Sequence, residues 1–298
     1  MISSVLVLLS TYNGEKYIDE LILSVLNQKN CDCHLLIRDD SSTDNTMKIL
    51  RKYENNYNNI HVYQGNNLGY AKSFWNLIEN SGDYDYYAFC DQDDIWLPDK
   101  LCSAIKLIEE NKETQKQALL YTSNVICINN DKEIIKNTSF FCNKPLNVYQ
   151  SFQKSILPGC TFVFNRYSKE VLKKYNGYME SHDWATYAII SVFGKVIYDH
   201  NSYIHYRIHE QNTIGMMTKK EMLKIKIKRF FKKSKNSRSK FAKDFFDTYA
   251  NDIKDKIIKK SIMQLGYYRK KMILKLKLLF NNNFKGFIFK IYVILNKV

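Results

Sequence analysis

The feature that most constrains this chain is an alternation. Short apolar runs, each ending in a polar cluster, are separated by segments whose apolar residues recur every three or four positions. Val5 to Leu9 is apolar throughout, as a strand buried on both faces must be, and it leads into Ser10-Thr11-Tyr12-Asn13-Gly14. Tyr17, Ile18, Leu21, Ile22, Val25 and Leu26 then form one stripe, which predicts a helix over residues 15–28. Leu35-Leu36-Ile37 reads as a second strand; it ends in Asp39-Asp40 and a Ser/Thr/Asp cluster able to cap a further helix. The pattern repeats with a strand at Ile60 to Tyr63 and a helical face of Ala71, Phe74, Trp75 and Ile78. Tyr86 to Cys90 is the next strand, ending in Asp91-Gln92-Asp93-Asp94, and Pro98 opens another helix at a position where its missing N–H costs nothing. This alternation predicts an α/β fold with a mostly parallel sheet covered by helices.

The second half is less regular. Residues 119–128 and 161–164 read as strands, 182–193 as a helix, and 195–198 and 203–208 as late strands. Near Met217 the composition turns to Lys-rich helix formers, so the chain divides into a catalytic domain over 1–217 and a basic helical extension over 218–298. Charge divides with it: residues 1–218 hold 21 Lys and Arg against 25 Asp and Glu, whereas residues 219–298 hold 24 against 5. The formal charge of +15 therefore belongs to the extension. Seven cysteines, an odd number with no Cys-x-x-Cys pair, read as buried thiols of a reducing compartment. The apolar run at the start is too short for a signal peptide, and no stretch reaches the roughly 18 apolar residues of a membrane span. A cytoplasmic catalytic part is expected.

In open α/β sheets ligands bind outside the carboxyl ends of the strands. Three polar clusters fall there: Thr11-Tyr12-Asn13, Asp39-Asp40 and Asp91 to Asp94. Carboxylates two apart on extended chain can converge on a hard divalent cation, Mg²⁺ or Mn²⁺, that keeps positions open for phosphate oxygens. Such a cation offsets charge developing on a diphosphate leaving group. No His/Cys cluster competes for zinc.

At this point the sequence resembles a known family, the inverting glycosyltransferases of family 2, which have the GT-A fold. The resemblance spans about residues 3–215. It is carried by Ser10-Thr-Tyr-Asn-Gly14, Arg38-Asp-Asp-Ser-Ser-Thr-Asp44, Asn67-Leu-Gly69, Phe89-Cys-Asp-Gln-Asp-Asp-Ile-Trp-Leu-Pro98, Leu157-Pro-Gly-Cys160, Ser181-His-Asp-Trp184 and Tyr206-Arg-Ile-His-Glu-Gln-Asn212. The Asp-Gln-Asp-Asp-Ile-Trp-Leu-Pro string is most similar to the branch with rhamnosyltransferases and other enzymes of bacterial surface polysaccharide assembly. The resemblance implies a GT-A mixed sheet flanked by helices, with Thr11, Tyr12 and Asn13 in a nucleotide-sugar pocket and Asp40 at the base. It further implies Asp91 on the ribose or sugar side, Asp93 as principal metal ligand with Asp91 beside it, Asp183 as catalytic base, and Arg207 and His209 closing over the diphosphate. Ser41-Ser42 departs from the Gly-Ser common in the family.

Elementary chemistry agrees. Inversion needs one carboxylate to take the acceptor's proton and separate stabilisation of the departing diphosphate. Asp183, at the start of a predicted helix, could equally serve as a cap. Trp96 and Trp184 could stack on sugar or base, or pack in the core. Residues 219–240 and 272–298 mix Lys with large apolar residues, as do helices lying in the headgroups of an anionic membrane; a solvated bundle is the alternative. The expected partners are a nucleotide diphosphate sugar, a glycan or lipid-linked glycan acceptor, and an anionic membrane surface at the inner face of the cell membrane; no nucleic-acid motif accompanies the charge. Two other function classes compete. A nucleotidyltransferase would carry a glycine- and Arg/Lys-rich triphosphate loop near the start, which Ser10 to Gly14 does not resemble. A non-catalytic adaptor would have lost the metal or base carboxylates, yet Asp91, Asp93 and Asp183 are present.

Overall fold

In the computed structural model, which describes residues 2–138, 146–154, 156–209 and 236–298, the apolar runs form the sheet they predict. The strands are β1 (Ser4–Thr11), β2 (Asp32–Asp39), β3 (Ile60–Gln64), β4 (Tyr86–Cys90), β5 (Ile95–Trp96), β6 (Ala118–Ile128), β7 (Ile134–Thr138), β8 (Val163–Asn165) and β9 (Gly194–Arg207). Their order is β3-β2-β1-β4-β8-β6-β9-β5, with β7 paired to β6. The half built from β3, β2, β1 and β4 is parallel throughout. The other half is mixed: β8 runs antiparallel between β4 and β6, while β6 and β9 are parallel. Helices α1 (Ile18–Leu26), α2 (Thr46–Asn56), α3 (Tyr70–Asn80), α4 (Lys100–Glu110), α6 (Arg166–Lys173) and α7 (His182–Phe193) flank this sheet, and α5 (Val148–Ser151) is a single short turn. The sheet is thus mixed rather than mostly parallel, because β8 inserts antiparallel where the predicted βα rhythm ends.

Burial follows the sequence pattern. Val5, Val7, Leu9, Leu35, Ile37, Ala88 and Cys90 meet Ile18, Leu21, Ile22 and Val25 of α1 in one core. Each such aliphatic side chain removed from water contributes on the order of 1.5–3 kcal/mol. The late strands expected over 195–198 and 203–208 are one strand, β9, because the intervening residues are absorbed as a bulge. There the register shifts around Asn124, whose amide donates to the His200 carbonyl at 2.6 Å. Gly194 opens β9 where any Cβ would sit 1.7 Å from the Ala118 carbonyl oxygen, so the close β6–β9 start admits glycine alone.

Contacts divide the chain into two compact units. Among the described residues, the first holds 2–138, 156–173 and 181–209, and the second 146–154, 174–180 and 236–298. The boundary expected at 217/218 lies outside the described residues, and so does the part 219–235 of the amphipathic stretch predicted over 219–240. Two short segments from the earlier part, 146–154 and 174–180, belong to the second unit. That unit contains helices α8 (Ser237–Tyr249), α9 (Lys256–Tyr267), α10 (Met272–Leu279) and α11 (Phe287–Ile294). Its core is aromatic: Phe152 and Tyr175 pack on Phe241, and Phe245 packs on Tyr249 with ring centroids 4.8 Å apart. Asp255 caps α9 by accepting from the amides of Ile257 and Ile258 at 2.7 and 2.9 Å.

Candidate active site

The three polar clusters meet because β1, β2 and β4 are parallel neighbours and end together. Thr11 lies in register with Asp39, and its hydroxyl donates to the Asp39 carboxylate at 3.0 Å. Asp39 also accepts from the Ser42 amide at 2.8 Å. Asn13 adopts a left-handed conformation (φ 49°), which Asn tolerates, and its side chain takes the Thr43 amide at 2.8 Å. The loop after β1 is clipped to the loop after β4 by one side chain. Gln92 accepts from the Tyr12 amide at 2.8 Å and donates to the Tyr12 carbonyl at 3.0 Å, imitating a strand pairing. Tyr12 itself stays half exposed above this floor.

Asp40, expected at the base, is buried, and its carboxylate is spent inside. It accepts from Arg38, from the Leu68 amide at 2.8 Å and from the Gly69 amide at 2.8 Å. Arg38 in turn reaches the Asn66 carbonyl at 2.8 Å. The pair therefore holds the Asn66 to Gly69 loop against the end of β2.

Arg207 and His209 leave the end of β9 and bind the acidic loop. His209 Nε2 lies 2.8 Å from an Asp93 carboxylate oxygen, and its ring stacks on Tyr17 with centroids 5.1 Å apart. Arg207 is only 2 % exposed: it pairs with Glu20, donates to the Asp93 carbonyl at 3.1 Å and lies over Tyr17. Its role here is to brace the 91–94 loop. Sequence spacing does not single out Glu20, Tyr17 or Gln92 as functional; the first two meet Arg207 and His209 across about two thirds of the chain length, which spacing does not record.

The acidic loop is crowded. Burial, with the charges of Asp93 and Asp183 nearby, pushes Asp91 up to about 7, and burial with Asp93 and Asp91 raises Asp94 well above the carboxylate range. Ligand atoms of Asp91, Asp94 and Cys160 lie within 4.8 Å of one another, and one Asp94 oxygen is buried with no hydrogen-bond partner among the described residues. The two carboxylates, one with an unused acceptor, suit a hard divalent cation, whereas Cys160, which burial keeps a neutral thiol, does not; Asp93, expected as the principal ligand, lies outside this trio with its carboxylate on His209. Asp94 and Cys160 join Asp91 here although sequence reading assigned them no role; both stand inside motifs already quoted. Beneath the loop Lys100 is buried with its ammonium 3.6 Å from the Trp96 ring, and desolvation lowers it to about 8. Trp96 and Trp184 are both interior, which favours packing over sugar stacking.

Asp183 sits in the first turn of α7, where its carboxylate accepts from the Trp184 amide at 2.7 Å and faces the positive helix end. Ser181 holds the N-cap position without a side-chain cap hydrogen bond, so the Asp183 carboxylate also serves the first turn through the Trp184 amide. Gly159 makes room for this turn: a Cβ there would lie 2.9 Å from His182 Nε2 and 3.0 Å from Asp183 Cβ. His182 is stacked on Phe74 at 3.9 Å and fully desolvated, which lowers it to about 4. Because its folded value lies below the ordinary 6.5, stability tied to neutral His182 is complete above about pH 6.5 and is lost as the pH falls towards 4. The full cost of protonation is about 3 kcal/mol. Urea unfolding between pH 7 and 4 is expected to show this loss, and His182→Phe, which keeps a ring between Phe74 and Phe89, should flatten that part of the profile. An equally steep profile in the variant would exclude His182 as the source.

The sequence profile described as Glycosyl transferase family 2 matches residues 6–175. This chain belongs to glycosyltransferase family 2. It is 32% identical over 222 residues to the dTDP-rhamnosyl transferase RfbG of Shigella flexneri, covering 70% of this chain and 73% of that one. It is 38% identical over 79 residues to the abequosyltransferase RfbV of Salmonella typhimurium, a match confined to 25% of this chain and 24% of that one. Among solved structures, the family 2 fold seen here superposes on residues 1–349 of S. aureus TarS in complex with UDP-GlcNAc with a TM-score of 0.59 at 16% identity, covering 99% and 88% of the two chains. A mannosyltransferase from Pyrobaculum calidifontis, solved with GDP-Man and Mn²⁺, gives a TM-score of 0.53 at 14% identity over 99% and 79%. The GT-A architecture is thus the fold of this family 2 member.

Proposed function

We propose that this family 2 enzyme moves one sugar, with inversion, from a nucleotide diphosphate sugar to a lipid-linked glycan acceptor in the assembly of a bacterial cell-surface polysaccharide. The observation that carries the reading is the acidic cluster at the end of β4, where ligand atoms of Asp91 and Asp94 lie within 4.8 Å of each other and where Asp93 and Asp183, the latter from the first turn of α7, help push Asp91 up to about 7. Carboxylates held this close favour a cationic or proton-transferring partner. The dTDP-rhamnosyl transferase of Shigella flexneri supports the transfer chemistry, and TuaG of Bacillus subtilis, named a putative teichuronic acid biosynthesis glycosyltransferase, supports the acceptor class.

In this reading Thr11, Tyr12 and Asn13 line the nucleotide pocket, with Tyr12 free to lie on the base. Asp40 lies beneath the base and fixes the Asn66 to Gly69 wall through Arg38. Asp91 faces the ribose or sugar. Mn²⁺ or Mg²⁺, held by Asp93 and Asp91 with Asp94 behind them, would supply the Lewis-acid charge that a diphosphate leaving group requires. His209 and Arg207 hold the acidic loop on the diphosphate side. Asp183 takes the proton of the acceptor hydroxyl as the anomeric carbon is attacked. Metal dependence is supported by the donor chemistry and by the Mn²⁺ in the mannosyltransferase complex. Among the described residues no helix is long and apolar enough to cross a membrane. We place the enzyme peripherally on the inner face of the cell membrane, through residues 219–298.

A thermal-shift panel of nucleotide diphosphates and nucleotide sugars with Mn²⁺, Mg²⁺ or chelator tests this directly. A ligand present at a hundred times its Kd stabilises the folded state by about 2.7 kcal/mol. A metal-dependent rise with one nucleotide is expected and names the donor class. No rise with any member would favour a non-catalytic adaptor.

A further inference from the structure

The second unit is not evenly basic. Residues 269–298 carry eight Lys and Arg and no Asp or Glu. Within this stretch α10 and α11 pair, with the Lys275 ammonium 2.8 Å from the Ile294 carbonyl. On α10, Leu278 is buried, but Met272 (72 %), Ile273 and Leu276 are exposed, as is Phe280 (79 %) at its C-cap. Positions 272, 273, 276 and 280 span about 100° of helix surface, one continuous apolar stripe. On α11, Phe289 and Val293 are buried, whereas Phe287 (80 %) and Ile294 are exposed seven residues apart on the opposite side. Two adjoining helices thus each bury one apolar face and present a second one to solvent, flanked by Lys271, Lys277 and Lys285, which are also exposed. Helix α8 differs: it holds Asp244 and Asp247, both paired with Lys243, and its Phe241 and Phe245 face the core; α9 also lacks Asp and Glu but exposes one large apolar side chain, Ile257, rather than a stripe.

A solvated bundle has no use for two phenylalanines at about four-fifths exposure, and a purely electrostatic tether needs no apolar stripe. We infer that α10 and α11 form an insertion wedge that seats in the headgroup and upper acyl region of an anionic bilayer, led by Phe280 and Phe287, with Met272, Ile273, Leu276 and Ile294 behind them and the lysines against lipid phosphates. The inference rests on the proposed peripheral membrane placement and assigns it to one face. An all-cationic rim around an apolar face complements an anionic lipid surface, since burying the stripe gains apolar transfer while the rim gains phosphate contacts. This mode differs from charge attraction alone: salt weakens it without abolishing it, because the apolar contribution is not screened.

Full-length protein sedimented with phosphatidylcholine vesicles containing or lacking phosphatidylglycerol tests it. The wild type is expected to bind the anionic vesicles and to retain a fraction at high salt. Phe280→Ser/Phe287→Ser, which keeps every charge and touches only exposed positions, should weaken partitioning about tenfold or more and release the protein fully in high salt. In separate Phe280→Trp and Phe287→Trp variants the indole emission should shift to the blue and be quenched by lipids brominated near the headgroup. Wild-type-like binding of the double serine variant, or unquenched indoles on sedimenting protein, would overturn the wedge while leaving membrane association standing. No binding by the wild type to either vesicle would overturn both.

Discussion

Asp183→Asn is expected to bind donor as the wild type does and to lose turnover by about a hundred- to ten-thousand-fold, the usual contribution of a positioned general base. The substitution is nearly isosteric, and its amide oxygen can still accept from the Trp184 amide, which the native carboxylate takes at 2.7 Å. The first turn of α7 and its packing against Gly159 should therefore survive. Loss of turnover with an unchanged donor-induced thermal shift would assign the defect to proton transfer. Transfer at the wild-type rate would remove Asp183 from the base role and leave it as a first-turn acid complementing the helix dipole.

Asp93→Ala should erase the metal dependence of donor binding and weaken nucleotide diphosphate affinity in Mn²⁺ by at least about a hundredfold. Two things go at once: a carboxylate of the acidic cluster, and the partner that His209 holds at 2.8 Å. Asp93→Asn separates them, because it can still meet His209 but is a much poorer ligand for a hard cation. Calorimetric titration of nucleotide diphosphate in Mn²⁺ and in chelator gives the answer for all three proteins. If the wild type binds equally well in both conditions, the metal assignment to Asp93 and Asp91 fails.

Much of the fold was legible because its strands are fully apolar and its helices striped. The helix predicted over 182–193 has those bounds, and β1, β2 and β4 end at the polar clusters where expected. What escaped prediction lacks such a signal. Strand β7 opens on two adjacent exposed residues, Ile134 and Ile135, which break the alternation that would mark a half-buried strand. The polar Asp199 to Ser202 stretch splits β9 into two predicted strands; in the sheet it is held from β6, where Asn124 bonds the bulged His200 carbonyl and Tyr121 bonds Asp199. The site divides in the same way. The clusters at Thr11, Asp40 and Asp91 to Asp94 stand out as polar interruptions of apolar runs. Their internal roles do not: whether Asp40 is free or paired with Arg38, and whether Arg207 faces solvent or Glu20, depends on which long side chains fold back, and sequence spacing carries no record of that.

The insertion of β8 between β4 and β6 has a consequence for how the chain is made. Strands β1 to β4 come from the first 90 residues and can pair as they emerge, but the free edge of β4 is covered only when Val163 to Asn165 arrives. Roughly 70 residues separate them, which at 5–20 residues per second leaves a parallel, fully apolar edge unpaired for about 4–15 seconds of synthesis. An exposed edge of that kind is a template for pairing with other chains. Ribosome-bound chains halted before residue 163 should therefore be the aggregation-prone species, and slow codons between β4 and β8 should cost soluble yield more than slow codons elsewhere.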